Sequence, residues 1–211
     1  IILSRDALKK FVETIVKNPG IGCVRPAIFF YRSGQLQTLG IRFYKRFGLM
    51  RAIEIRDKSL KGLVEVDAGG GVMVVPRMVF LKTLFDECLP FMHEDLDFVL
   101  RIKKLGYRVV TVRDAIVFHR KDHRRVGVSG DVILKSYFIG RNSLVFHYRH
   151  GGVISVLIHF YVDLIQSLGK IVRALVHKSR DDAVLEAYRV IGLLYGMYIL
   201  RRCNKHVFNR V

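Results

Sequence analysis

The stretch FMHEDLDFVLR, residues 91–101, places Glu94, Asp95 and Asp97 within four positions of a chain in which 36 Lys and Arg outnumber 18 Asp and Glu. Carboxylates grouped this tightly have two readings. Acids in the first turn of a helix are favoured by the positive end of its dipole, and Leu96, Val99 and Leu100 carry helical apolar spacing behind them. An ionised carboxylate is also a suitable group for removing a proton from an attacking hydroxyl.

The surrounding segments carry further candidates. Upstream, VEVDAGGGVMVVP (64–76) reads as a strand broken by Gly69, Gly70 and Gly71, where a ligand can lie close to main chain. Downstream of the expected helix 94–105, which ends at Gly106, YRVVTV (107–112) and AIVFH (115–119) read as two strands. The second delivers His119 into a basic run holding Arg120, Lys121, His123, Arg124 and Arg125. Earlier, Ser4–Val16 reads as a helix capped by Ser4, residues 21–31 as a buried strand interrupted by Pro26, and 78–85 as a short helix. Residues 35–62 read as a basic, irregular connection. Strands alternating with short helices predict an α/β layer fold.

Composition narrows the class of partner. A formal charge of +18 over 211 residues calls for something anionic: nucleic acid, a phosphorylated substrate or acidic lipid. No zinc spacing, RNP-like aromatic pair or recognition helix supports nucleic acid. Cys23, Cys88 and Cys203 lie far apart with no CxxC, which suits a reducing compartment rather than a disulfide framework. Hydrophobic content of 51% and mean hydropathy of +0.24 point to membrane contact or a large buried interface. The opening IILSRDALKK lacks the pattern of a secretory leader, and Ile1-Ile2 reads as a strand end continuing a fold begun upstream.

From 131 onward the pattern is helical, so the expected division is an α/β region at 1–130 and a helical region at 131–211. In 153–177, Ser155, His159, Asp163, Gln166, Lys170, Arg173 and His177 trace one polar stripe. Such a stripe argues against a bilayer-spanning helix. It suits a helix lying in the membrane interface, one packed under the α/β region, or a core helix of a soluble bundle. In 183–202, an eleven-residue apolar run from Val190 to Leu200 ends at Arg201-Arg202. It is shorter than the roughly 20 residues needed to cross a bilayer, and Gly192 and Gly196 permit close helix approach. Apolar helices flanked by Lys and Arg indicate an anionic membrane surface.

The succession VDAGGGVMVVPRMVF, then LFDECLPFMHEDLDFVLRIKKLGYRVVTVRDAIVFH, then YFIGRNSLVFHYRH resembles the second half of a family-2 glycosyltransferase of GT-A fold, in its rhamnosyltransferase-like branch. The resemblance implies a partial GT-A fold followed by C-terminal helices. It implies that Asp95 is the general base that deprotonates an acceptor hydroxyl, with Glu94 orienting it or contacting the acceptor, and Asp97 a cap or salt-bridge partner. It implies that His119 helps hold a divalent cation, Mg²⁺ or Mn²⁺, beside the donor diphosphate. Gly69, Gly70 and Gly71 would lie against sugar, and Arg120, Arg124 and Arg125 would clamp the diphosphate. Asp86-Glu87 would close the loop before the catalytic helix, and Arg141-Asn142 matches an RN motif.

The implied partners are a nucleotide-diphosphate sugar, a glycan or lipid-linked acceptor and the cytoplasmic face of a membrane. In that family a nucleotide-binding half ending in Asp-x-Asp precedes a segment like IILSRDALKKF, so the sequence is expected to be part of a longer enzyme or to pair with a second chain. The alternatives are a non-catalytic basic module for anionic membrane or nucleic acid, and a degenerate partner subunit.

Overall fold

A computed structural model describes residues 1–53, 61–69, 71–120 and 128–208, with side chains described as far as Cys203. The chain divides into two units. One comprises Ile1–Phe43, Met50–Phe85 and Asp95–His123, and the other Tyr44–Leu49, Asp86–Glu94 and Arg124–Val211.

The first unit is a mixed α/β layer structure. Its central strand, β7 (Arg108–His119), pairs in parallel with β2 (Ile21–Phe30) along one edge. Along the other edge it pairs antiparallel with β1 (Ile2–Leu3) and β6 (Leu63–Glu65). β3 (Leu36–Thr38) pairs antiparallel with the free side of β2. Successive side chains of β7 point to opposite faces, so Val110 and Val112 enter one core and Val109 the other. On the first face lie Ala7 and Phe11 of α1 (Ala7–Lys17), both fully buried. On the second lie Val79 of α2 (Arg77–Thr83) and Phe98, Val99 and Ile102 of α3 (Glu94–Lys104). β4 (Ile41–Tyr44) and β5 (Leu49–Ala52) form a separate hairpin.

Several sequence expectations shift. The two strands expected at 107–112 and 115–119 are one twelve-residue strand. Its register against β2 slips between Pro26 and Ala27, which face Val112 and Ile116, so residues 113–115 form the irregularity that accommodates a proline inside the sheet. α1 begins at Ala7 with Asp6 at its N-cap position; Ser4 instead pairs through its N–H with the Ile116 carbonyl. The connection 35–62 contains β3, β4 and β5. The glycine-broken segment 64–76 is a short β6 followed by single bridges, Ala68 to Ile41 and Val74 to Val24.

Asp67, between β6 and the glycines, ties these pieces together. Its carboxylate accepts hydrogen bonds from the Phe43 N–H at 2.9 Å and from Lys103 Nζ at 2.5 Å, with Arg42 at 3.8 Å. Burial opposes its ionisation, but the Lys103 and Phe43 hydrogen bonds and the two cations overcome this and hold it below the usual carboxylate range. A group that binds protons more weakly when folded contributes its full stability above the unfolded-state value, and loses it as pH falls through the folded-state value. Asp67→Asn is therefore expected to flatten the acid limb of the stability–pH curve, measured by urea unfolding from neutral pH downward.

The second unit is built on α4 (Gly130–Val176) and α5 (Arg180–Phe208). α4 is broken at Gly152, whose φ of 77° and ψ of −172° lie outside the helical region. In an unbroken helix His147 and His159 would stand about 18 Å apart. Here their rings stack with centroids 3.4 Å apart, and Ser155 Oγ lies 3.1 Å from His147 Nδ1. The chain therefore doubles back at Gly152, where the sequence turns apolar.

Candidate functional site

The carboxylate cluster separates into three different roles. Asp97 is buried and forms an ion pair with Arg101 Nε at 2.8 Å, one helical turn on. Arg101 also donates to the carbonyls of Thr83 and Leu84, at the end of α2. Asp97 is thus structural. Glu94 opens α3 and is half-buried. Asp95 is also half-buried, and its Oδ2 accepts a hydrogen bond from the Gly71 N–H at 3.0 Å. Its Oδ1 accepts one from the Leu96 N–H at 2.8 Å. The fold thus brings the carboxylate and the glycine-rich segment together.

A residue that sequence reasoning missed lies beneath them. Arg25, in the middle of β2, is fully buried. Burial pulls its guanidinium below the usual arginine range, against the raising effect of the Asp95 carboxylate. Gly69 passes so close that a Cβ there would collide with the Arg25 guanidinium. That packing, rather than strand flexibility alone, calls for glycine at 69. Gly69→Ala is expected to destabilise the protein by about 1–3 kcal/mol through overpacking against a side chain with no space to move into, measured as a lowered denaturant midpoint. The nearest signal in the sequence was a charged residue within an apolar strand, CVRPA, and its burial depends on the close approach of Gly40 and Gly69.

Gly70, Lys121, His123, Arg124 and Arg125 lie outside the described residues. Arg120 is exposed directly after β7. His119 ends β7 with Nδ1 3.0 Å from Gln37 Oε1, which leaves Nε2 as the nitrogen that could take a ligand. Among the described residues no hydrogen bond or ion pair joins His119 to Asp95. No group of three or more His, Cys, Asp or Glu side chains among them could hold a metal ion. A single imidazole is a poor site for a hard divalent cation. The described residues alone therefore do not fit the expected cation.

In the second unit, the loop that leads into α3 is held by the RN pair. Asn142 Nδ2 donates to the carbonyls of Phe91 and Met92, and Arg141 Nη1 donates to the Cys88 carbonyl at 2.7 Å. Asp86 accepts from the Cys88 N–H at 2.7 Å and pairs with the nearly buried Arg149 at 2.9 Å. Met92 and His93, just before α3, have φ of 63° and 69°. Non-glycine residues adopt this left-handed conformation rarely and at a cost, so the side-chain grip from Asn142 counters a strained entry to the helix.

Comparison with protein-family models and with curated proteins returned no match to this chain.

Proposed function

We propose that this chain is the acceptor-side part of an inverting glycosyltransferase of GT-A type, with Asp95 as its general base. The observation that carries the reading is the Asp95 carboxylate at the start of α3, hydrogen-bonded to the Gly71 N–H of a glycine-rich segment where sugar can lie against main chain. In this reaction the acceptor hydroxyl gives its proton to Asp95 as its oxygen forms a bond to the anomeric carbon. The bond from that carbon to the diphosphate oxygen breaks on the opposite face, and the nucleoside diphosphate leaves with inversion. Glu94 lines the acceptor side, and Arg120 with Arg124 and Arg125 receives the diphosphate charge. The acceptor is a glycan or lipid-linked hydroxyl at the cytoplasmic face of a membrane. The charge of +18 and two helices long and apolar enough to cross a membrane favour that location.

The test is a panel of nucleotide-diphosphate sugars, offered with Mg²⁺ or Mn²⁺ and membrane-extracted acceptors to the chain alone and to the chain joined to a nucleotide-binding half of GT-A type. The product's anomeric configuration is read by NMR. Transfer with inversion is expected. Retention of configuration would overturn the mechanism. Salt-sensitive RNA binding without transfer would favour the basic-module alternative.

A further inference from the structure

We infer that the second unit docks on an anionic lipid bilayer lying flat, through one apolar face shared by residues 153–176 of α4 and by α5, and does not span it. The inference extends the membrane location proposed above. Its first basis is an inside-out distribution of residues. The polar stripe of 153–176 turns inward over its first half, where Ser155 is buried against His147 and Asp163 pairs with Arg189 at 3.3 Å, and farther on the exposed Lys170 reaches Glu186 at 3.1 Å. Beside the exposed Gln166, Lys170 and Arg173, most of what remains outside on 153–176 is apolar. Ile154, Tyr161 and Ile165 on α4, and Ile191, Leu194 and Tyr198 on α5, are each more than half exposed. A core helix of a soluble bundle would bury its most apolar stretch, whereas only 17% of such a stretch within Gly130–Val176 and 22% of one within Arg180–Cys203 is buried.

The packing order sets the orientation. Ser136 donates to the Leu185 carbonyl and Arg149 to the Cys203 carbonyl, so residues 130–151 of α4 run parallel to α5. Close approach is made possible by Gly140, whose missing Cβ would meet the Arg189 carbonyl, and by Gly192 and Gly196, which face Tyr137 and Arg141. Residues 153–176 run antiparallel beside α5, as the Asp163–Arg189 and Lys170–Glu186 pairs require. The unit is an up–down–up bundle of three helical segments of similar length.

This order excludes spanning. Arg141 stands level with the middle of α5, and it holds the Cys88 carbonyl of the loop 86–94. If α5 crossed a bilayer, that guanidinium and an irregular loop would sit at mid-depth, where lipid-exposed non-helical backbone is not tolerated. Lying flat, 153–176 and α5 turn their apolar faces into the acyl boundary while the segment 130–151 and its loop stay out of it.

Charge selects lipid over a second copy of the chain. Exposed Arg173, Lys178 and Arg180 flank one end of the face and exposed Arg201 and Arg202 the other. On a chain of +18 these repel a like molecule and attract anionic headgroups.

The chain has no tryptophan, so one introduced residue reports its own depth. Ile154→Trp, Ile165→Trp and Leu175→Trp sample 153–176 at intervals of about 15 Å. Each full-length variant is mixed with phosphatidylcholine vesicles containing phosphatidylserine, with lipids brominated at graded depths as quenchers. The expected result is the same shallow depth at all three positions, about 5–10 Å below the headgroups. The companion Ile165→Asp, Leu194→Asp variant should bind these vesicles about tenfold or more weakly at an unchanged melting temperature. A deep indole in the Ile165→Trp variant, with shallow ones in the other two, would overturn the flat geometry in favour of spanning. Absence of vesicle binding, or self-association on sedimentation through the same face, would overturn lipid as the partner. Sugar transfer to a soluble acceptor, measured on the same preparations, separates either failure from failure of the transferase reading.

Discussion

Asp95→Asn is expected to lower sugar transfer about 10²–10⁴-fold, the contribution typical of a positioned general base, while leaving the fold intact. The reason lies in what each oxygen of Asp95 does. One accepts from Gly71 and the other from Leu96. An asparagine of the same shape can accept from only one of these N–H groups and turns its NH2 toward the other, so one hydrogen bond is lost, a cost of about 1 kcal/mol that leaves the protein folded. It has no free carboxylate to take the acceptor's proton. The loss should therefore fall on the turnover rate, with little change in the acceptor concentration needed for half-saturation. Glu94→Gln should cost less, because Glu94 carries no proton in the transfer. Single-turnover transfer and denaturant unfolding, run on the same preparations, check both halves of the expectation.

Asp97→Ala, two residues away, should do the opposite: a loss of about 3–5 kcal/mol of stability, the range for breaking a buried ion pair by removing one partner. Asp97 is 1% exposed at its side chain and Arg101 17%. The cation left behind would keep its bonds to the Thr83 and Leu84 carbonyls but lose its counter-charge. Leu84, with φ of 39°, sits in a strained conformation that those bonds help to hold. Urea unfolding should show a lowered midpoint at an unchanged slope. Replacing both residues, Asp97→Ala with Arg101→Met, should recover part of the loss, because the stranded charge is then gone. Loss of transfer in Asp97→Ala should follow the unfolded fraction, unlike the loss in Asp95→Asn.

Local pattern in the sequence carried the fold where short-range rules suffice. The apolar spacing of Leu8, Phe11, Val12 and Ile15 marked α1, and Gly106 marked the end of α3. The mixed α/β layer followed from their alternation with strands. Long-range contacts were not legible. Nothing local shows that Arg25 enters the core under Gly69, or that Asn142 reaches back some fifty residues to Phe91 and Met92. The polar stripe of 153–177 was visible, but its direction was not. That direction depends on Arg189 and Glu186, partners on another helix, and on the reversal at Gly152. Within the carboxylate cluster, Asp97 already reads as a cap or salt-bridge partner, and its burial against Arg101 one turn on shows the second of these.

The most direct measurement of the central claim is single-turnover sugar transfer by Asp95→Ala in the full-length chain, with and without added formate. A small carboxylate that enters the space left by the side chain can accept the proton in its place. Transfer near zero without formate, rising at least about tenfold with it, is the result expected if Asp95 is the base. Wild-type transfer by Asp95→Ala without formate would contradict it.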